Sequence, residues 1–293
     1  MYGRVIVIAL LGCLGFFLLS CSMQSVGSSA ASGMAGGELG RTVVKGECCA
    51  LIAHAGGAID GNAYTNSLEA TRLSIDNGFS LIELDFSKTS DGVWFATHDW
   101  KYWAERTSYS GALPPSSGSV RELLHSFQSA PSVHGIKRSY TVMSLTDVIG
   151  LLQENAHVKV VTDTKDSDLA LQLAEDLRST PVFKQFIFQV YSPASVASAS
   201  KAVPLQQIIL TTYQMDDWWR WDGFGDGFAE AMRPFSGIYA VTVPLAVVVD
   251  APKLKRIQTI GVPVLVHSRP DEINSVNLNS QLKRIGVNGI YVD

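Results

Sequence analysis

Carboxylates placed two residues apart at the ends of apolar segments are the first side chains of this sequence with a pattern suited to chemistry. Glu83 and Asp85 lie within one apolar segment, and residues two apart on a strand project from the same face. Asp163 directly follows another apolar segment, and Lys165 stands two residues further on. Three carboxylates without cysteines or histidines at ligand spacing suit a hard cation better than zinc. The pattern predicts a site for one divalent cation, Mg²⁺ or Ca²⁺.

Two histidines accompany these acids. His54 follows the first apolar segment of the folded region, and the turn signal at residues 90–92 leads towards His98. If residues 91–92 form a two-residue hairpin loop, His98 is predicted to lie opposite Asp85. Imidazole titrates near neutrality, so two histidines suit proton exchange with a nucleophile and a leaving group. With a phosphate as co-ligand and Lys165 as its counter-charge, the residues imply metal-assisted cleavage of a phosphodiester.

Further polar and aromatic residues near predicted strand ends are candidates for substrate contacts. Asn66 and Glu69 have the spacing of a helix capping box, and a second role of Asn66 near phosphate is also open. His267 ends a predicted strand. Trp219 belongs to a group of three tryptophans that cannot share one helix face. This group is predicted to form a wall for a head group or a membrane-dipping loop, or else to pack in the core.

Apolar strands alternate with helices that end at glycine, which implies parallel pairing with right-handed crossovers. The helices include residues 66–77, 254–260 and 273–285. The eight strand candidates are residues 50–53, 79–86, 158–162, 186–191, 207–212, 238–243, 262–267 and 289–293. No glycine-rich phosphate loop follows a strand, which argues against a dinucleotide or P-loop fold. We therefore predict an α/β fold, a single-domain (β/α)8 TIM barrel over residues 45–293, with its site at the carboxyl ends of the strands.

The N-terminal segment has the pattern of a bacterial export signal. One positive charge precedes an uncharged apolar run that ends at Ser20, as in a secretory signal peptide, and the segment 18–21 resembles the lipobox of lipoproteins. The expectation is a signal peptide over residues 1–20, lipidation at Cys21 and a flexible tether over residues 21–44. This anchor would hold the protein in the bacterial cell envelope, and in a Gram-negative cell at the outer membrane facing the periplasm. Ordinary secretion and a retained N-terminal anchor are the alternatives.

Composition narrows the classes of protein further. The 293 residues are 46% hydrophobic and 17% charged, with a formal net charge of −4. A negative net charge excludes a nucleic-acid partner held by overall positive charge, and the apolar content excludes a long disordered protein. Cys48 and Cys49 are adjacent, and Cα atoms about 3.8 Å apart lie below the usual disulfide range. We expect these two side chains to pack below the first strand; a vicinal disulfide, which would require strain, is the alternative.

An ordered set of motifs carries a resemblance to a known family. The motifs are His54-Ala-Gly-Gly57, Tyr64-Thr-Asn-Ser-Leu-Glu-Ala70, Glu83-Leu-Asp85, Thr89-Ser-Asp-Gly92, His98-Asp99, Asp163-Thr-Lys165 and Gly286-Val-Asn-Gly-Ile-Tyr-Val-Asp293. In this order they resemble the glycerophosphodiester phosphodiesterase family, TIM-type barrels related to phosphatidylinositol phospholipase C. The resemblance implies that His54 and His98 are the general acid and base, and that Glu83, Asp85 and Asp163 hold the divalent metal. It also implies hydrolysis of small glycerophosphodiesters to glycerol phosphate and an alcohol.

The sequence departs from the family pattern at two positions. The family usually has Arg directly after the first histidine, where this chain has Ala55, and it commonly has Glu where this chain has Asp163. The Asp-x-Lys form also resembles the related sphingomyelinase D group. Two alternatives follow: a phospholipase C- or D-like enzyme acting on intact lipids, and a non-catalytic lipoprotein that binds head groups or sugars.

Overall fold

Eight parallel strands form a closed barrel in the computed structural model, which describes residues 43, 48–101, 126–128, 139–213, 215, 224–267 and 278–293. In chain order the strands are β1 (Ala50–Ala53), β2 (Leu81–Lys88), β3 (Trp94–Ala96), β4 (Ser126–Gln128), β5 (Ser139–Thr141), β6 (Lys159–Asp163), β7 (Phe186–Val190), β8 (Ile208–Thr211), β9 (Ala240–Pro244), β10 (Val264–His267) and β11 (Gly289–Val292). The barrel runs β1-β11-β10-β9-β8-β7-β6-β2, and β2 pairs again with β1. Strand β3 is antiparallel to β2, and β4 and β5 form a separate pair.

The helices lie between the barrel strands along the chain. They are α1 (Leu68–Asp76), α2 (Leu145–Glu154), α3 (Ser167–Leu177), α4 (Pro193–Ala199), α5 (Asp226–Met232), α6 (Leu245–Val248), α7 (Ala251–Thr259) and α8 (Leu278–Arg284). Within the described part of the chain, no helix has the length and apolar character needed to cross a membrane. The predicted (β/α)8 TIM barrel is confirmed.

Side chains alternate between the inside of the barrel and the layer beneath the helices, as the strand period of two requires. The inner layer is apolar near the strand starts, where Ala50, Leu81 and Val161 are buried. Towards the carboxyl ends the inward positions become polar, with Glu83 and Asp163 following in the same alternation. The barrel is therefore filled at one end and carries its ionisable groups at the other.

Helix α1 begins differently from the capping box predicted for Asn66 and Glu69. The N-cap is Ser67, whose Oγ accepts a hydrogen bond from the N–H of Ala70 at 3.2 Å. Asn66 adopts a positive φ of 49° and is 1% exposed, and Glu69 accepts hydrogen bonds from Thr141. The capping-box prediction was wrong because a buried carboxylate engages the Asn66 side chain, which leaves the next residue as the cap.

The β2–β3 hairpin has a different register from the predicted one. Phe86 pairs with Ala96 and Lys88 with Trp94, and the N–H of Thr89 donates to the carbonyl of Val93 at 2.8 Å. The loop therefore has three residues, 90–92, and ends at a glycine with φ of 92°, a common three-residue arrangement. The prediction that His98 lies opposite Asp85 was wrong by one residue, and β3 ends before His98.

Several sequence expectations concern residues outside or next to the described part of the chain. Residues 1–42 and 44–47, which include Cys21, lie outside it, and so do residues 216–223 with Trp219.

Cys48 and Cys49 directly precede β1, and Cys49 is buried as expected. Their sulfur atoms are joined in a disulfide, which the sequence argument gave only as the alternative.

Candidate active site

Three buried carboxylates form the centre of the carboxyl-end face. Glu83 and Asp85 come from β2 and Asp163 from β6, and the strand register places Asp85 beside Asp163. One oxygen of each carboxylate lies within 4.8 Å of the others, and each residue is at most 3% exposed. Hard cations such as Mg²⁺ and Ca²⁺ prefer such all-oxygen ligands. Among the described residues, this donor set fits one divalent cation.

Three neutral or cationic side chains hold these carboxylates in place. Lys165 Nζ donates to Asp85 Oδ1 at 2.6 Å and to Asp163 Oδ2 at 2.5 Å. Asn66 Nδ2 donates to Asp85 Oδ2 at 2.8 Å, while its Oδ1 accepts from the Asp85 N–H at 2.9 Å. The Tyr191 hydroxyl donates to Asp163 Oδ1 at 2.5 Å. Asn66 therefore belongs to the site through Asp85, which explains its loss as a helix cap.

The environment moves the pKa values of this cluster in opposite directions. Burial, together with the charge of Asp85, raises the pKa of Glu83 to about 8. Burial also acts to raise the pKa of Asp85, but Lys165 and His98 outweigh it and hold that pKa below its ordinary value. Burial would lower the pKa of Lys165, but the charges of Asp85 and Asp163 raise it above its ordinary range. Asp85 and Lys165 therefore face each other as an ion pair at neutral pH.

His54 stands at the end of β1 and has partners on both ring nitrogens. Its Nδ1 lies 2.9 Å from Asp293 Oδ1, and its Nε2 lies 3.1 Å from His267 Nε2 and 3.9 Å from Glu83 Oε2. The next residue, Ala55, adopts a φ of 47° and donates its N–H to Glu83 at 2.7 Å. Burial acts to lower the pKa of His54, but the Asp293 hydrogen bond and the Glu83 charge leave it above its ordinary value.

His267 closes the side of the site that faces His54. Its ring stacks on Tyr213 with centroids 4.7 Å apart and meets the ring of His54 edge-on at 4.6 Å. Burial, with the charge of His54, lowers the pKa of His267 to about 3. His267 is therefore a neutral imidazole at physiological pH. Sequence reasoning named His267 but missed Tyr213, whose only signal is its position two residues beyond the end of β8.

His98 reaches the cluster from the hairpin side. It follows β3, its Nδ1 lies 2.5 Å from Asp99 Oδ2, and its side chain is 40% exposed. Its charge is one of the causes that lower the pKa of Asp85. The structure thus brings together eight residues named from the sequence at one end of the barrel: His54, Glu83, Asp85, Asp163, Lys165, Asn66, His98 and His267.

Sequence reasoning also gave no role to Asp293, although it is the strand-end residue that binds His54.

Comparisons with known proteins agree with this architecture. The family model described as the glycerophosphoryl diester phosphodiesterase family matches residues 57–293. No curated protein sequence matches the chain. A glycerophosphodiester phosphodiesterase from Thermotoga maritima superposes with a TM-score of 0.60 at 15% identity, covering 84% of this chain and 95% of that one.

Two further solved structures share the fold. A glycerophosphodiester phosphodiesterase from Agrobacterium tumefaciens has a TM-score of 0.57 at 13% identity and covers 84% of this chain and 96% of that one. One from Parabacteroides distasonis has a TM-score of 0.56 at 14% identity, covering 83% and 92% of the two chains. At these identities the similarity establishes a common fold.

Proposed function

Because the chain belongs to the glycerophosphoryl diester phosphodiesterase family and is a glycerophosphodiester phosphodiesterase, we propose that it hydrolyses its substrate with one bound divalent cation and with His54 and His98 as general acid and base. The products are glycerol phosphate and an alcohol. The observation that carries the proposal is the convergence of three buried carboxylates and these two histidines at the carboxyl ends of the barrel strands.

Glu83, Asp85 and Asp163 are the residues that would hold the cation. When bound, Mg²⁺ or Ca²⁺ polarises a phosphoryl oxygen and offsets the charge that develops during displacement. Glu83 also accepts the N–H of Ala55 at 2.7 Å, which ties the carboxylate to the turn after His54. We also propose phosphate contacts for Lys165 and Asn66, whose hydrogen bonds to Asp85 keep them next to the cation site.

The two histidines suit opposite proton transfers. A carboxylate only accepts hydrogen bonds, so Asp293 receives the Nδ1–H of His54 and Nε2 is the atom that exchanges a proton in the site. His98 approaches from the hairpin, on the side of Asp85. One histidine takes a proton from the attacking water and the other donates a proton to the leaving alkoxide, each worth about 10²–10⁴-fold in rate.

Ala55, the residue directly after His54, is relevant to which substrate the enzyme prefers. Ala55 is fully buried and carries only a methyl group, whereas the family pattern described above implies an arginine at this position. The neutral ring of His267, 3.1 Å from His54 Nε2, is the hydrogen-bonding group on that side of the site. We propose that His267 contacts the phosphate or the head group there, and that Trp219 contributes to the head-group wall.

The test follows the release of glycerol phosphate by the protein expressed without residues 1–21. Glycerophosphocholine, glycerophosphoethanolamine and glycerophosphoinositol are offered with Mg²⁺, with Ca²⁺ and with EDTA. His54→Ala and His98→Ala are expected to lower kcat by about 10²-fold or more. His157→Ala, at an exposed histidine after α2, is the matched control and keeps full activity. Turnover that persists in EDTA, or that survives both active-site substitutions, contradicts the proposal.

A further inference from the structure

The ammonium group of Lys165 lies where a cation bound by the carboxylates would have to compete with it. Its Nζ is 2.6 Å from Asp85 Oδ1 and 2.5 Å from Asp163 Oδ2. These two residues, with Glu83, are also the members of the buried three-carboxylate cluster. One positive side chain therefore already bridges two of the three prospective metal ligands.

The hydrogen bonds of Asp163 make Oδ2 the oxygen that is better suited to bind a cation. Asp163 Oδ1 accepts from the Lys165 N–H at 2.9 Å and from the Tyr191 hydroxyl at 2.5 Å, which takes up both of its lone pairs. A cation held by Asp163 is then expected at Oδ2, the oxygen that accepts from Lys165 Nζ. Two cations sharing one carboxylate oxygen repel each other strongly in a buried site.

The backbone of Lys165 is held by hydrogen bonds, whereas its side chain is partly exposed to solvent. The backbone is held in a left-handed conformation with φ of 57°, and its N–H bonds both Asp163 and the Tyr191 hydroxyl. The side chain is 33% exposed, whereas those of Asp85 and Asp163 are at most 3% exposed. The ammonium group can therefore leave towards solvent by side-chain rotation while the carboxylates and the loop stay in place.

We propose that Lys165 neutralises Asp85 and Asp163 in the metal-free protein, and that a divalent cation binds by displacing the Lys165 ammonium from these two carboxylates. The inference rests on the proposed function, which supplies the cation. Lys165 then has two positions, one between the carboxylates in the metal-free protein and one pointing towards solvent and substrate in the metal-bound protein.

The first test is calorimetric titration of Ca²⁺ and Mg²⁺ into the metal-free wild type and the Lys165→Met variant. Removing the competing charge is expected to lower the dissociation constant about tenfold or more. Lys88→Met is the matched control, because Lys88 pairs with Asp176 at 3.2 Å and contacts no member of the cluster in the described structure. Its dissociation constant should equal that of the wild type.

The second test uses the wild-type protein and so does not depend on the folding of a variant. Lysines are labelled with an amine-reactive reagent, with and without Ca²⁺, and the modified peptides are quantified by mass spectrometry. The labelling rate of Lys165 should rise several-fold with Ca²⁺, while that of Lys88 stays constant. An unchanged rate at Lys165 in protein that binds Ca²⁺ overturns the displacement, even if Lys165→Met binds Ca²⁺ more tightly.

The outcomes separate this inference from the function on which it rests. Equal metal affinities for the wild type and Lys165→Met overturn the competition and leave the metal site standing. Absence of binding by either protein, under conditions in which catalysis proceeds, contradicts the metal site itself and the inference with it.

Discussion

His54, proposed as general acid or base, has a side-chain partner on each of its ring nitrogens. One ring nitrogen faces Asp293 at 2.9 Å and the other faces His267 at 3.1 Å. The carboxylate fixes which nitrogen carries the proton, and the neutral His267 leaves the other nitrogen without a competing charge. From this geometry we infer that Asp293 is a positioning residue, which acts by orienting His54.

Replacing Asp293 by Asn removes a charge that raises the pKa of His54. We expect the limb of the pH–rate profile that reports His54 to move to lower pH, with kcat reduced about tenfold or more and KM changed little. A proton NMR titration of the His54 ring in the variant checks the same shift. Profiles that coincide for wild type and variant would show that Asp293 has a purely structural role.

The same contact makes stability depend on pH. The folded-state pKa of His54 lies above its ordinary value of 6.5, so the contact stabilises the fold fully below about pH 6.5 and loses this effect as the pH rises through the folded-state pKa. Asp293→Asn should therefore lower the free energy of unfolding more at pH 5 than at pH 9. Urea denaturation at the two pH values measures the difference, and an equal loss at both contradicts the assignment.

The turn after β1 shows how an element positions the site. Ala55 has a φ of 47°, and Gly56 and Gly57 have φ values of 85° and 90°. This sharp reversal points the Ala55 N–H at Glu83, and Ser74 of α1 holds the turn by donating its hydroxyl to the Gly56 carbonyl at 2.8 Å. Helix α1 thereby supports both the strand end and the histidine.

Gly57→Ala tests this turn. A Cβ at Gly57 would lie 2.3 Å from Ser74 Oγ, and its φ of 90° with ψ of 171° is a conformation open essentially to glycine alone. We expect the free energy of unfolding to fall by about 2–5 kcal/mol. Gly150→Ala in α2, where a Cβ meets nothing within 4 Å, should raise it by about 0.5–1 kcal/mol. Denaturant titration of both variants measures these values, and a loss at Gly57 no larger than the change at Gly150 refutes the turn's role.

At the scale of the whole molecule, barrel closure assembles the site. Strand β1 pairs with β11, with Ala50 beside Gly289 and Ala53 beside Val292. His54 and Asp293 are 239 positions apart in the chain, yet they meet because each directly follows one of these paired strands. The contact between His54 and Asp293 therefore requires the closed barrel.

A cation that binds only the folded barrel should stabilise the whole molecule. At a concentration 100 times the dissociation constant, binding contributes about 2.7 kcal/mol, and for a domain of this size each kcal/mol raises the Tm by about 2–4 °C. We expect Mg²⁺ or Ca²⁺ to raise the Tm of the metal-free protein, measured by calorimetry. Glu83→Gln together with Asp163→Asn is the control, and an equal rise in that variant would locate the binding elsewhere.

The N-terminal pattern makes a prediction for the full chain in a bacterial host. If Cys21 is lipidated, wild-type protein sediments with the membrane fraction and carries acyl groups detectable by mass spectrometry. Cys21→Ser should leave the protein outside that fraction, while the barrel keeps its phosphodiesterase activity. Wild-type protein released in unlipidated form would instead indicate ordinary secretion.

Features that depend on neighbouring residues were predictable from the amino-acid sequence. Strand–helix alternation and glycine at helix ends predicted the (β/α)8 barrel, and the two-residue spacing predicted that Glu83 and Asp85 share a face, because strand periodicity is local. The ordered motifs identified the family, which the family model confirms.

Contacts that depend on loop length and on barrel closure became visible only in the folded protein. The hairpin has a three-residue loop, which moved His98 by one position relative to Asp85, and Asn66 binds Asp85 rather than capping α1. The contact of Lys165 with Asp85 and the contact of His54 with Asp293 join residues that are far apart in the chain and belong to, or directly follow, different strands. Such contacts follow from the register and closure of the whole sheet, which no local sequence pattern specifies.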